Sequence, residues 1–260
     1  MLSIINTWKC NFKGGHCLFS CSPKRTGFLN RYDLIDYCAM MGRYDDLDYV
    51  NLCGGEAFLH PDLIWQVDYL IGAGCNVRIP TNGVLLYKKA GEEFLEHFYG
   101  QERITLMISN DPYHAEFWPR WFSVDKAERM VSSYDISIEK DRRNYNNYYC
   151  HMGRAKKHGL GDPDDTKGRT CIDRDSYQTY HRFEPTLLPD GKIASCCSAR
   201  LIVGDAQSDY NTMQERFKQY MKDNSEHSVR CSTCPRSIID YKLKHKRERK
   251  KKRETCSTES

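Results

Sequence analysis

Nowhere does the chain approach the roughly 18 consecutive uncharged apolar residues that a membrane-spanning helix requires, so no bilayer span is expected. The opening residues, Met1-Leu2-Ser3-Ile4-Ile5, lack the basic region, long apolar run and small-residue cleavage site of a secretory signal. A cytoplasmic, reducing location is the expectation that follows. No internal repeat of solenoid period occurs, which excludes a stacked-repeat architecture. Apolar residues are not scarce. The hydrophobic fraction is 40%, with 10 Phe, 17 Tyr and 4 Trp, enough to build a core and to exclude wholesale disorder. A strong charge of one sign is also missing from most of the molecule. The net charge is +4, but residues 241–260 hold nine Lys/Arg against three Glu, so the rest of the chain carries −2. The excess sits in a basic tail. Such a tail suits an RNA or acidic partner, or is simply a solvated terminal arm.

What the chain has in abundance is cysteine, 13 in 260 residues. An odd number in a chain of this size argues against a disulfide scaffold, and in a reducing compartment it points to metal or catalysis. Cys38 and Cys75 fall on apolar stretches and read as small buried hydrophobes. Cys10, Cys17 and Cys21 share one short loop with Gly14 and Gly15. Thiolates there supply soft ligands, and the glycines let the backbone turn tightly.

Residues 2–8, 48–53, 75–80, 103–109 and 134–139 read as strands, with 145–150 as a candidate sixth. Between them, 31–41, 61–73, 86–99 and 114–132 (interrupted near Pro119) read as helices from their three- and four-residue apolar spacing. Strand alternating with helix predicts an α/β fold with a parallel sheet, either open or a partial (β/α)6 TIM-type barrel. The functional face then lies at the C-terminal ends of the strands. Every unusual motif falls there: the cysteine loop after the first strand, Gly54-Gly55-Glu56 after the second, Thr81-Asn82-Gly83 after the third and Asp111 after the fourth. Beyond residue 158 the character changes. A glycine-rich linker precedes a hairpin over 186–193 turning at Pro189-Asp190-Gly191, and a helix over 210–222. The expected organisation is a partial barrel over 1–158, a small cysteine-rich extension over 159–240 and the basic tail over 241–260.

The stretch Cys10-Asn11-Phe12-Lys13-Gly14-Gly15-His16-Cys17, taken with Gly54-Gly55-Glu56 one βα unit later, resembles the radical SAM superfamily. That family's signature is three cysteines spaced Cx3Cx2C after the first barrel strand, and here Gly14 stands where the central cysteine would be. The resemblance implies a 4Fe-4S cluster whose open iron binds S-adenosylmethionine. Electron transfer from that cluster cleaves the cofactor to a 5′-deoxyadenosyl radical, which abstracts hydrogen from substrate. It implies cofactor contacts at Gly54, Gly55, Glu56, Thr81, Asn82 and Gly83. Asp111 and Arg154 of Met152-Gly153-Arg154-Ala155 would lie near the ribose, adenosine or substrate. The missing ligand has two candidates, Cys21 in the same loop and Cys53 at the end of the second strand. A degenerate or absent cluster is the third option.

Gly191-x4-Cys196, preceded by Cys171 and followed by the CxxC of Cys231 and Cys234, resembles the auxiliary-cluster extension of the same superfamily, SPASM or its shorter twitch form. Four thiolates there would enclose one further 4Fe-4S cluster, with Cys197 as a spare neighbour; the same residues would equally suit a structural zinc ion. The resemblance implies a peptide substrate and a reductant such as flavodoxin or ferredoxin. Two other readings stay open: a pseudoenzyme that keeps the fold without a working SAM cluster, and a zinc-dependent nucleic-acid-binding protein.

Overall fold

The computed structural model describes residues 2–44, 48–141, 157–158, 183–195 and 201–223. The candidate strand over 145–150, Arg154, Cys171, Cys196, Cys197, Cys231, Cys234 and the basic tail lie outside the described residues.

Five strands follow one another in parallel: β1 (Leu2–Thr7), β2 (Tyr49–Gly54), β3 (Asn76–Thr81), β4 (Ile104–Ser109) and β5 (Ser137–Asp141). Helices α1 (Arg31–Met41), α2 (Leu63–Gly72), α3 (Lys89–His97), α4 (Pro112–Ala115) and α5 (Val124–Ser132) lie in the crossovers. The expected hairpin is present as antiparallel β6 (Thr186–Leu187) and β7 (Lys192–Ala194), joined by β8 (Ile202–Asp205) and followed by α6 (Tyr210–Asp223). All eight strands form one open sheet in the order β5-β4-β3-β2-β1-β6-β7-β8. The sheet is the unclosed α/β barrel wall expected from the strand–helix alternation.

One helix departs from expectation. The helix expected over 86–99 is split into a 3-10 turn, Val84–Tyr87, and α3, with Lys88 extended between them. Gly91 explains the split, because a Cβ there would lie 2.3 Å from the Leu85 carbonyl oxygen. The two pieces pack backbone to backbone and cannot share one axis. The stretch over 114–132 is interrupted around Pro119 as expected, with α4 before the break and α5 after it. Asp111 caps α4, and Ser123 opens α5 by accepting from Lys126 N at 3.2 Å.

Register sets which side chains face the helices. Ile4, Leu52, Ile79, Leu106 and Ile108 share one face of the sheet and are fully buried against Leu34, Val67, Leu70, Phe94 and Val131. The alternate residues face the other way. Ile5 and Cys53 lie there, and the neighbouring strands place Asn51, Arg78, Met107 and Glu139 on that same inner face. Arg78 and Glu139 form an ion pair there, both partly open to solvent. The wall is therefore apolar towards its helices and polar towards its concave side.

His60, just after the β2 turn, is buried and held neutral. Its Nδ1 accepts from Asp62 N at 3.0 Å while Nε2 donates to the Leu29 carbonyl at 2.9 Å. Burial pushes its pKa down, against the hydrogen bond to Leu29 and the charge of Asp62. A histidine whose folded pKa lies below the unfolded one costs stability as pH falls through the unfolded value, because the unfolded chain takes the proton first. The unfolding free energy of the native chain from denaturant titrations should therefore fall between pH 7.5 and pH 5.5, by up to about 1.4 kcal/mol per pH unit. His60→Gln should flatten that slope; an equally steep decline in the variant would assign it elsewhere.

Candidate functional site

The ends of β1, β2 and β3 meet through glycines that admit no side chain. Gly54 has φ +145°, and a Cβ on it would sit 2.4 Å from the Thr7 carbonyl oxygen; one on Gly55 would sit 2.0 Å from that of Lys9. The Gly55 and Glu56 amides instead donate to those carbonyls, at 2.7 and 2.9 Å. The loop that follows β1 is thus fastened directly to the turn that follows β2. Gly83, at φ +82°, ends β3 against the Phe122 ring.

A chain of hydrogen bonds ties these turns together. Glu56 is 1% exposed. Its Oε1 accepts from Thr81 Oγ1 at 2.8 Å and Phe58 N at 3.3 Å, and its Oε2 accepts from Asn82 N at 2.9 Å. Burial raises the Glu56 pKa, and these three donors oppose the rise. Asn82 Nδ2 donates in turn to Asn11 Oδ1 at 2.8 Å, and Asn11 adjoins Cys10. Glu56, Thr81, Asn82 and the cysteine loop therefore form one connected site. Asn11 was not singled out from the sequence, although it directly follows Cys10.

Within the loop the three thiols are drawn together. Cys10 Sγ accepts from Phe12 N, and Cys17 Sγ accepts from Cys21 N, each at 3.3 Å. Backbone N–H groups aimed at sulfur favour the thiolate and are the kind of contact that tunes an iron–sulfur site. Cys21 is 1% exposed. A hydrogen bond with the Cys17 thiol, burial, and the proximity of Cys17 and Cys10 push its pKa up, while Arg25 pulls the other way. Cys53 has different surroundings, packing against the small apolar cluster of Ile5, Leu188 and Ala194. Cys38 and Cys75 are buried as expected, and burial pushes the Cys38 thiol up to about 12. A loop in which the Cys21 thiol bonds to that of Cys17 and feels that of Cys10, with N–H donors on Cys10 and Cys17, fits a soft cluster.

Gly14 has a specific neighbour. A Cβ at this position would lie 2.9 Å from Cε1 and 3.1 Å from Nδ1 of His16. The His16 ring thus occupies the space that a longer side chain at position 14 would enter. It stands at 4.7 Å, edge-on, from the His114 ring and 5.2 Å from Tyr113. His114 Nδ1 bonds to Asp111 Oδ2, while Asp111 Oδ1 accepts from Tyr113 N and His114 N at 3.0 and 3.1 Å. Burial works to raise the Asp111 pKa, but the hydrogen bond and charge of His114 and the charge of His16 outweigh it and hold the carboxyl below its usual range. Neither histidine was singled out as a site residue from the sequence. Their signal was positional, one directly before Cys17 and one three residues after Asp111.

No protein-family model matches the chain. Over 135 residues, 51% of its length, the chain is 30% identical to the mycofactocin maturase MftC of Mycobacterium tuberculosis, and it spans 31% of that protein. Among solved structures, that of BtrN in complex with AdoMet and 2-DOIA superposes with a TM-score of 0.56 and 13% identity, over 90% of this chain and 92% of that one. That of anSMEcpe with bound AdoMet and the Cp18Cys peptide gives 0.54 and 13%, over 88% and 81%. At such identities the structural likeness establishes the fold.

Proposed function

From the likeness to MftC over half of the chain and the fold shared with BtrN and anSMEcpe, we propose that the chain is a radical SAM enzyme, an iron–sulfur protein that cleaves S-adenosylmethionine reductively and acts on a peptide. One observation carries the reading: the hydrogen-bonded path from Glu56 through Asn82 to Asn11 and the Cys10 loop, which joins the turns after β1, β2 and β3 into one pocket rim. Cys10, Cys17 and Cys21 would hold a 4Fe-4S cluster. When bound, that cluster supplies the electron that opens the cofactor to radical chemistry.

The residues of the chain take on positioning. Glu56, buried and fixed by three donors, offers its remaining lone pairs to the ammonium of the cofactor. Gly54 and Gly55 let the cofactor approach the backbone, and Thr81, Asn82 and Gly83 form the neighbouring wall. The Phe12 ring stacks on Phe117 at 5.4 Å, so the short helix α4 and its aromatic residues screen the loop from water. The polar inner face with Arg78 and Glu139 lies on the concave side, where an extended peptide would find partners of both signs. The peptide assignment draws on relatives: MftC is a maturase, and anSMEcpe was solved with a bound peptide. Residues 159–240 as an auxiliary-cluster extension, with Cys171, Cys196, Cys231 and Cys234 as its ligands, Arg154 at the cofactor, and flavodoxin or ferredoxin as reductant belong to the same proposal.

The test is to reconstitute the chain anaerobically with iron and sulfide, add dithionite and S-adenosylmethionine, and follow 5′-deoxyadenosine. Cofactor cleavage above that of a cluster-free control is the expected result. A loaded chain that neither binds nor cleaves the cofactor would leave the pseudoenzyme reading in its place.

A further inference from the structure

We propose that His16, Asp111 and His114 form a binding site for a divalent first-row transition-metal ion, beside the three thiols and with none of them as a ligand. This inference needs neither the cluster nor the cofactor. A ligand atom from each of the three residues lies within 4.8 Å of the other two. Bound donors stand about 2.1 Å from a shared ion, so modest rotation of the two rings brings all three into contact with it. Two imidazoles and one carboxylate are a donor set suited to zinc, cobalt or ferrous iron, and the set contains no thiolate. That difference in softness separates it from the cysteine loop.

The supporting contacts are those a metal site needs. The Asp111 side chain is 1% exposed and that of His114 21%, so water is largely excluded. Asp111 Oδ1 is anchored by the two backbone amides of α4, which leaves Oδ2 directed at His114. Orienting bonds of this kind are characteristic of ligating carboxylates. An ion would take the place of the hydrogen between Asp111 Oδ2 and His114 Nδ1, with the imidazole N–H then on Nε2.

Gly14 supplies an independent observation. A Cβ at position 14 would lie 2.9 Å from the His16 ring and would crowd it in this place. A cysteine at 14 and His16 in this place compete for one space. On this reading the glycine is an exchange: the loop takes its third thiol from Cys21, and the freed volume admits a histidine that completes a second, harder site.

The experiment is an anaerobic Co2+ titration of the metal-stripped full chain, read by visible ligand-field bands and by near-ultraviolet thiolate-to-cobalt charge transfer. One equivalent should show ligand-field bands without charge transfer. It should be lost in His16→Gln and in His114→Gln, and kept in Cys17→Ser, which perturbs only the charge-transfer signal. Gly14→Ala should weaken that equivalent roughly tenfold, the scale on which displaced supporting contacts act. Two glutamine variants keep the test alive if either fails to fold, and neither touches the Asp111 cap. The proposal is overturned if both bind cobalt with the native stoichiometry and spectrum, or if the equivalent they lose carries charge transfer. Absence of cofactor cleavage would leave this result untouched, so the two proposals fail separately.

Discussion

Replacing Cys21 by serine is expected to empty the thiol loop of its cluster. Anaerobically reconstituted Cys21→Ser should carry about four fewer irons per chain than the native protein, whereas Cys53→Ser should lose none. The argument is one of surroundings. The Cys21 thiol is bonded to Cys17, lies near Cys10 and is closed off from water. A thiol pushed up in pKa by such neighbours is protonated without metal and yields its proton when metal binds, so loading should be steeper with pH in the native chain than in the variant. Cys53 points to the inner face but packs with Ile5, Leu188 and Ala194. Equal iron in Cys21→Ser and the native chain would remove Cys21 from the ligand set.

Glu56 should separate into two roles when it is replaced in two ways. Glu56→Gln keeps the length and one oxygen. Its amide can donate to Thr81 Oγ1 and its oxygen can accept from Asn82 N, so the link between strand ends survives, while Phe58 N loses its acceptor. What goes is the charge. Stability should stay within about 1 kcal/mol of native, because the buried carboxylate no longer has to be desolvated. Binding of S-adenosylmethionine should weaken by about 2 kcal/mol, roughly thirtyfold in Kd, the worth of a hydrogen bond to a charged group. Glu56→Ala removes both roles. The amides of Asn82 and Phe58 and the hydroxyl of Thr81 would then be buried without their acceptor, at about 1–3 kcal/mol each. The variant should unfold at markedly lower denaturant and bind no cofactor. Urea titrations paired with equilibrium binding would decide it; matching losses of affinity and stability in both variants would mean that Glu56 acts only as a strut.

Much of the site was legible in the residues alone. In a parallel α/β sheet the loops at one edge are all turns after strands, so a motif's place in the strand–helix alternation also gives its place in space. Gly54-Gly55-Glu56 and Thr81-Asn82-Gly83 were placed correctly for that reason, and the helix at 31–41 appeared with those bounds because its apolar spacing and the cap at Asn30 agree. The break at Lys88 was less legible. Whether 86–99 could run as one rod depended on how Gly91 met Leu85, which is a contact and not a pattern.

Local order along the chain therefore carried the fold class, the edge on which the chemistry gathers and the identity of its loops, because periodicity and turn residues act over a few neighbours. It favoured Cys21 over Cys53 as partner to Cys10 and Cys17, but it could not bring Asn82 to Asn11 or set His16 between Gly14 and His114. It also left open where the late hairpin would dock, and β6 pairs with β1 in parallel, Ser3 with Thr186 and Ile4 with Leu187. Those outcomes depend on register and on separations of a few ångströms between residues remote in sequence. They are settled when the buried faces of the strands pack and the polar groups left inside have to find one another.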